Sequence, residues 1–254
     1  MDKEWFHEFF EQDYFRKTAE QIDTIIDKSI PQDEFLIDVL ELSLNHRILD
    51  LCCGYGRHAI NLARSGYNVT GFDLCERALR LAKQKSQREN LTTHLVRGDI
   101  RALPFRRELF DRIYNVFSFG YLKNDDEILK VLEGTSSRLK PKGRLLIDAI
   151  NGPRILRDFI ESAREEEAER YVLQERTYDK ETRRLRSEWT FIYKDTGEIN
   201  RHTIIERLCS VNELVSMIDS VGLRTLSIYG DFDKTKYNEH SNRIIVVAES
   251  KRRQ

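Results

Sequence analysis

The stretch ILDLCCGYGRHAINLA, residues 48–63, constrains the fold more than any other part of this chain. An apolar run typical of a buried strand stops at Gly54 and Gly56, and apolar residues then return at helical spacing. Glycine allows the positive φ and the close backbone approach that a tight turn before a helix requires. A strand, a glycine turn and a helix in this order predict a nucleotide site at the end of the first strand of a parallel sheet.

The same alternation of strand and helix continues to about residue 150. Predicted strands cover residues 47–51, 68–74, 93–100, 110–119 and 144–150. Amphipathic helices are predicted at residues 57–66, 75–90 and 125–140, and a turn at 141–143. Strands separated by such helices indicate βαβ units, so we predict an α/β fold whose parallel sheet has helices on both faces.

The segments on either side of this core have a different pattern. Residues 3–41 predict two or three helices, and the first is rich in aromatic side chains. After a helix-like stretch at 152–170, three runs of β-branched and aromatic residues predict an inserted antiparallel β-meander. A helix and two strands follow. A loop without a helix joins these strands, so they must pair antiparallel and leave one reversed strand at the edge of the sheet.

The pattern therefore predicts one domain with a mostly parallel, seven-stranded sheet whose last strand is antiparallel. Its predicted parts are a helical N-terminal lid at 1–46, a cofactor-binding core at 47–150, the inserted β-meander at 171–209, and a C-terminal helix with a β-hairpin at 210–254. No internal repeat and no Gly/Ser-rich linker divides the 254 residues.

Composition argues against several classes of partner. With 42 Lys and Arg against 43 Asp and Glu the net charge is −1, which gives no field for tight nonspecific nucleic-acid binding. No apolar stretch approaches the roughly 20 residues of a membrane helix, and the acidic, aromatic N-terminus does not resemble a signal peptide. The four cysteines form no CxxC pair and have no histidine at a metal-ligand spacing. We expect a cytoplasmic protein with reduced thiols, no metal site and no nucleic-acid or membrane partner.

Spacing alone leaves two kinds of cofactor open. The residues from Gly54 to Ala59 fit the G-x-G-x-x-A pattern of dinucleotide sites, and Asp73 lies close to where an acid would bind the ribose. Asp50, four residues before Gly54, would repel a pyrophosphate but suits a ligand with a cationic amino group and a sulfonium. Asp99 at a strand end could read an adenine edge, and a reversed strand is unusual in dinucleotide domains. An NAD-dependent oxidoreductase stays the alternative.

Five segments in order carry a resemblance to a known family. They are ILDLCCGYGRHAINLA, VTGFDLCERAL, GDIRALPF, FDRIYNVFSFGYL and LKPKGRLLID. Over residues 47–150 they resemble the motifs of class I S-adenosylmethionine-dependent methyltransferases, which implies a Rossmann-like sheet, and the final hairpin agrees. The chain is similar to the small-molecule branch with glycine and amino-sugar N-methyltransferases, in which an antiparallel insertion helps to cover the active site. Cys52 replaces the usual first glycine of the turn.

The resemblance implies a set of cofactor-binding residues at the strand ends and the glycine turn. They are Asp50, Cys52, Gly54, Gly56, Asp73, Leu74, Asp99, Ile100 and Phe117. By resemblance Asp50 reaches the amino group of the methionine moiety directly or through water, and Asp73 accepts both ribose hydroxyls. Leu74 lies against the adenine, Asp99 and Ile100 read and flank it, and Phe117 flanks the sulfonium.

The implied activity is methyl transfer from S-adenosylmethionine to a nitrogen or oxygen of a small molecule by in-line displacement. Tyr121 is the candidate to contact the acceptor, Tyr14 is the candidate to close over the cofactor, and Trp189 is a further candidate from the meander. No catalytic base is identified. His202 has no visible partner in the sequence, and His58 is expected to pack or cap at the turn. A non-catalytic S-adenosylmethionine-binding protein is a second alternative, and the exposed edges of the meander suggest a homodimer.

Overall fold

The computed structural model describes residues 4–251. Its strands are β1 Arg47–Leu51, β2 Asn68–Asp73, β3 His94–Arg97, β4 Phe110–Asn115, β5 Leu139–Ile150, β6 Ser162–Glu166, β7 Arg170–Asp179, β8 Arg184–Tyr193, β9 Ile199–Arg207, β10 Leu223–Tyr229 and β11 Arg243–Ser250. Its α-helices are α1 Trp5–Glu8, α2 Ala19–Lys28, α3 Ile30–Val39, α4 Arg57–Arg64, α5 Glu76–Arg88, α6 Asp125–Arg138, α7 Gly152–Arg157 and α8 Val211–Ser220. A π-helical segment, Phe9–Tyr14, continues α1.

Seven strands form the main sheet in the order β10-β11-β5-β4-β1-β2-β3. Only β11 runs against its neighbours β5 and β10, which confirms the predicted antiparallel last strand. Its predicted position at the edge is wrong, because β10 is the edge strand. Residues 244–248 of β11 are almost completely buried. A strand so apolar on both faces requires a neighbour on each side, whereas the half-exposed β10 tolerates the edge.

Helices cover both faces of the main sheet, as predicted. On one face Leu132 of α6 and Ile218 of α8 belong to a buried cluster with Leu145 and Val246 of the sheet. On the other face α3 and α4 pack against alternate residues of the same strands. Within residues 4–251, no helix combines the length and the apolar character needed to cross a membrane.

The predicted turn at 141–143 is instead an irregularity inside β5. The pairing of β4 with β5 jumps from Phe110 opposite Leu139 to Arg112 opposite Arg144. The extra residues of β5 include Lys142 at a φ of 62°. Backbone of this kind inside a strand is a bulge, so the Pro-Lys-Gly sequence bends the strand without ending it.

A second sheet, β6-β7-β8-β9, is antiparallel throughout. Its strands β7 to β9 correspond to the predicted meander. The predicted helix at 152–170 is wrong beyond Arg157, because residues 162–166 form β6 and pair with residues 171–175 of β7. The charged side chains of β6 are largely exposed at the edge of the sheet. Pairing with β7 therefore outweighs the helical tendency of this glutamate-rich stretch.

The aromatic residues at the start of the chain pack onto the second sheet. Phe9 is 2% exposed and shares a buried cluster with Phe191 and Tyr193 of β8 and Ile204 of β9. After this segment, α2 begins with a capping box in which Thr18 and Gln21 bind each other's backbone N–H groups. We call residues 5–15 the roof segment, because they cover the cavity described below.

Candidate functional site

A cavity lies beyond the C-terminal ends of β1, β2, β3 and β4, where the sequence predicts a nucleotide site. Its floor is formed by residues that follow these strands: 51–55, 73–74, 98–100 and 115–122. Its cover is formed by Phe6, Phe10, Tyr14 and Phe15 of the roof segment. The cavity therefore lies between the strand ends of the main sheet and the N-terminal aromatic residues.

The turn after β1 has the backbone that the sequence predicts. The φ angles of Gly54 and Gly56 are +56° and +77°. A Cβ at Gly54 would lie 3.0 Å from Cζ of Phe15, so the turn needs glycine both for its conformation and for the approach of the roof segment. Cys52, which replaces the usual glycine, also has a positive φ, 65°. Its backbone therefore lies in the left-handed region that favours glycine.

Asp73 ties the end of β2 to the glycine turn. Its carboxylate accepts hydrogen bonds from the N–H groups of Gly54 and Cys75, each at 2.8 Å. Burial raises the pKa of this carboxyl, while these backbone bonds oppose the shift. Asp73 and Leu74 both line the cavity, and each carboxylate oxygen of Asp73 keeps a second lone pair. The predicted ribose contact stays a prediction.

Asp99 also lines the cavity, but its carboxylate has partners within the protein. It caps a short 3₁₀ turn by accepting the Arg101 N–H at 2.8 Å, and the Arg101 guanidinium contacts both of its oxygens. Burial raises the pKa of Asp99, but the bonds to Arg101 outweigh burial and hold the pKa below its usual value. Arg101 also pairs with Glu4, next to the roof segment. Ile100 lines the cavity beside Asp99, and the adenine contact of both residues stays a prediction.

Three of the predicted site residues do not line the cavity: Asp50, Gly56 and Trp189. Asp50 is 3% exposed and shares a face of β1 with Ile48, which packs against α3 and α4. Its Oδ2 has no hydrogen-bond partner within residues 4–251, and burial raises its pKa to about 7. Trp189 packs on Phe9 of the roof segment, with ring centroids 5.6 Å apart.

Arg57 is a cavity residue that the sequence analysis missed. It is the first residue of α4, directly after the glycine turn, and its Nη1 donates to Ser29 Oγ and Gln32 Oε1 at 3.2 and 2.5 Å. Its guanidinium lies 4.9 Å from the ring centroid of Phe117, which also lines the cavity. A fixed cation at a helix N-terminus is suited to a carboxylate. The signal was its place immediately after G-x-G.

Tyr14 and Tyr121, predicted as substrate residues, both line the cavity. Tyr121, in the loop after β4, packs edge-on against Trp5 and Phe10 of the roof segment, with ring centroids 5.4 and 6.0 Å apart. Burial raises the pKa of both tyrosines, so both phenols stay protonated near neutral pH. The loop after β4 and the roof segment thus form one aromatic wall.

The roof segment is fixed to the second sheet through Asp13, which is fully buried. Its carboxylate accepts hydrogen bonds from Tyr193 Oη at 2.7 Å and Asn200 Nδ2 at 3.0 Å, and it contacts His202 Nε2. The prediction that His202 lacks a partner is therefore wrong. Burial opposes ionisation of Asp13, but these three partners outweigh burial and lower its pKa to about 2. His58, as expected, packs below the turn and bonds to Asp33.

Comparison with known proteins agrees with this geometry. Residues 48–143 match the family described as a methyltransferase domain. The putative methyltransferase YqeM of Bacillus subtilis strain 168 is 28% identical over 207 residues, 80% of this chain and 83% of that protein. The CcbJ methyltransferase of Streptomyces caelestis superposes with a TM-score of 0.80 at 19% identity, over 99% of this chain and 100% of that chain.

A third comparison concerns the cofactor. CalS10 of Micromonospora echinaspora, an amino pentose methyltransferase whose structure has S-adenosylmethionine bound, superposes with a TM-score of 0.59 at 18% identity, over 92% of each chain. The matched region contains the glycine turn and the strand ends that form the cavity. In CalS10 the bound cofactor is S-adenosylmethionine, which agrees with the cofactor predicted from the sequence. By its fold and its matched domain, the chain resembles the S-adenosylmethionine-dependent methyltransferases.

Proposed function

We propose that this chain transfers a methyl group from S-adenosylmethionine to a nitrogen or oxygen atom of a small-molecule acceptor. The aromatic roof is the observation that carries the proposal. Four aromatic side chains cover the cavity, and one of them, Phe15, comes within contact distance of the glycine turn. A covered, largely apolar cavity with an aromatic cover suits a small organic acceptor.

The residues around the turn fit the chemical groups of S-adenosylmethionine. Arg57 would bind the carboxylate of the methionine moiety, and the free lone pairs of Asp73 would accept the ribose hydroxyls. Asn115 lines the cavity, and its buried Oδ1 has no hydrogen-bond partner within residues 4–251. This oxygen would accept a hydrogen bond from the methionine amino group. Asp50, behind the turn, would add negative charge near the same amino group without contacting it.

The remaining role of the protein is to align the acceptor with the methyl group. When bound, S-adenosylmethionine supplies a methyl group on a sulfonium, which needs no further activation. The residues of this chain would exclude water, hold the acceptor in line with the methyl carbon and place aromatic rings beside the positive charge. Tyr121, Tyr14 and Phe117 all line the cavity, and we propose that the two tyrosines contact the acceptor and that Phe117 flanks the cofactor.

Binding and turnover test this proposal together. S-adenosylmethionine at about 100 times its Kd should add about 2.7 kcal/mol to the free energy of unfolding, whereas NADH should add nothing. Asp73→Ala should abolish this shift, and Asp219→Ala, on the exposed face of α8, should retain it. Turnover is then measured as S-adenosylhomocysteine formation with a panel of primary amines and the alcohols of the same carbon skeletons. If neither class is methylated by the cofactor-binding protein, the proposal fails.

A further inference from the structure

One face of the second sheet points toward the roof segment and the cavity. Ile204 of β9 packs in the cluster with Phe9, and alternation along the strand puts Glu206 on the same face. Glu206 stands opposite Leu185 of β8. A carboxyl group therefore lies beside Leu185 and Ile204 on the face that points toward the roof segment. The mechanism outlined above does not use it.

Backbone contacts fix Glu206 beside the loop that follows β4. The N–H of Arg207 donates to the Gly120 carbonyl at 2.9 Å. Glu206 Cγ lies 3.2 Å from the point where a side chain at Gly120 would begin. Gly120 and Tyr121 both line the cavity. Glu206 does not itself line the cavity; its side chain lies directly behind Gly120 and beside Tyr121, the residue proposed to contact the acceptor.

The carboxyl of Glu206 has no protein partner. Within residues 4–251 it takes part in no hydrogen bond and no ion pair. The two nearby guanidinium groups are engaged elsewhere, since Arg243 pairs with Asp148 and Arg176 donates to Gln174. Burial raises the pKa of Glu206 to about 7, although Arg243 and Arg176 lower it. An unpaired carboxylate in such a place is costly and calls for a cationic partner.

We propose that Glu206 binds the ammonium group of an aliphatic amine acceptor and removes its proton before methyl transfer. The inference rests on the proposed function and narrows its acceptor to one class. The rings of Phe10, Tyr14 and Tyr121 in the same cavity favour a cation over the developing anion of an alcohol. Glu206 would neutralise that cation and would then act as a catalytic base.

Proton transfer to Glu206 precedes methyl transfer in the proposed reaction. The Glu206 carboxylate takes one proton from R–NH₃⁺, which leaves a neutral carboxylic acid and R–NH₂. The nitrogen lone pair forms the N–C bond to the methyl group as the C–S bond breaks, and that electron pair stays on sulfur. The products are R–NH₂⁺–CH₃ and S-adenosylhomocysteine, and Glu206 returns its proton to water when the product leaves.

The test uses Glu206→Gln, which keeps the shape of the side chain and removes its charge. Glu188→Gln is the matched control, because Glu188 lies on the opposite face of the same sheet, exposed and paired with Arg186. For each variant, calorimetry gives the Kd of S-adenosylmethionine and the Kd of panel amines for the S-adenosylhomocysteine complex. Turnover of amines and the corresponding alcohols is measured from pH 5 to 9.

We expect E206Q to keep the Kd of S-adenosylmethionine within twofold and to weaken amine binding at least tenfold. In the wild type, kcat/KM for an amine should rise as pH passes through about 7, and E206Q should lose this rise. The charged or titratable groups facing Glu206 are Tyr14 of the roof segment, Tyr121 of the loop, Arg176 of β7, Cys209 after β9 and Arg243 of β11. None of them titrates near pH 7, because burial raises the pKa of the tyrosines and of the Cys209 thiol, and the other two groups are arginines.

The outcomes separate this inference from the proposed function. Turnover of alcohols alone, or amine turnover by E206Q within twofold of the wild type, overturns the role of Glu206 and leaves the proposed function intact. Amine binding that depends on Glu206 without any turnover supports the amine site and overturns the proposed function. If no amine binds or reacts, the inference is overturned.

Discussion

The two sides of the cavity are built in different ways. The cofactor side consists of strand ends and turns joined by backbone hydrogen bonds, such as those from Gly54 and Cys75 to Asp73. The acceptor side consists of side chains from distant parts of the chain, such as Asp13 and His202, which are 189 positions apart. The cofactor side is thus set by one local unit, whereas the acceptor side can change without disturbing that unit. This arrangement lets one fold serve different acceptors.

The most damaging way to break the acceptor side alone is to remove Asp13. Asp13→Ala leaves Tyr193, Asn200 and His202 with unsatisfied buried groups, which should cost about 3 kcal/mol of unfolding free energy. We expect faster proteolysis within residues 5–15 and a higher KM for the acceptor, with the glycine turn intact. Chemical denaturation and limited proteolysis measure these changes. Glu8→Ala, an exposed change in the same segment, should have little effect; equal proteolysis of both variants would contradict the anchoring role.

Low pH should weaken the contacts between the Asp13 carboxylate and the second sheet without a mutation. The pKa of Asp13 is about 2 in the folded protein, below its ordinary 3.8. A carboxyl group whose pKa is lower in the folded protein stabilises the fold fully at pH values above its unfolded pKa. This stabilisation is lost as the pH falls through the folded pKa. The contribution is about 2 kcal/mol above pH 5, and it should disappear between about pH 4 and pH 2. Denaturation of the wild type and Asp13→Asn across this range should converge at the acidic end; parallel curves would contradict the assignment.

On the cofactor side, Arg57→Leu should weaken binding of the methionine end of S-adenosylmethionine and leave binding of the adenosine end unchanged. Loss of a charge-assisted bond to the methionine carboxylate should cost about 2 kcal/mol, which is roughly a 30-fold weaker Kd. 5′-Methylthioadenosine lacks that carboxylate, so its Kd should not change. Calorimetry with both ligands makes the comparison. A similar loss for both ligands would show that Arg57 supports the turn and does not bind the carboxylate.

Gly54→Ala should have the smallest effect of the four. A Cβ at this positive φ costs about 1 to 2 kcal/mol, and the nearby Phe15 ring must shift. We expect a roughly tenfold weaker Kd for S-adenosylmethionine. Gly134→Ala is the control, because nothing lies within 4 Å of its Cβ position in α6 and alanine favours the helix. The control should be slightly more stable than the wild type; unchanged cofactor affinity in G54A would show that the turn tolerates a side chain.

The sequence predicts the cofactor side well because its signals are local. The alternation of strands and helices, the glycine turn and the positions of Asp73 and Asp99 all depend on neighbours within about thirty residues. Even here the direction of Asp50 differs from the prediction. Strand alternation places its side chain on the same face as Ile48, behind the turn.

The acceptor side was harder to predict because it depends on pairing between distant segments. Residues 162–166 form β6 only because β7 supplies hydrogen bonds, and no local pattern marks that pairing. Asp13 stands in a run of aromatic residues that indicates a buried helix, and nothing near it in the sequence points to Tyr193 or His202. Glu206 likewise depends on the register of β9 with β8 and on the loop at Gly120.

The interior position of β11 also determines when the main sheet can be completed. In the main sheet β10 pairs only with β11, and β11 fills the space between β10 and β5. During synthesis, β5 leaves the ribosome before residues 243–250 exist, so it must wait with an open hydrogen-bonding edge. Such an edge is exposed to wrong pairing. The arrival of β11 therefore closes the sheet, and a nascent chain that stalls before it is the form most exposed to aggregation.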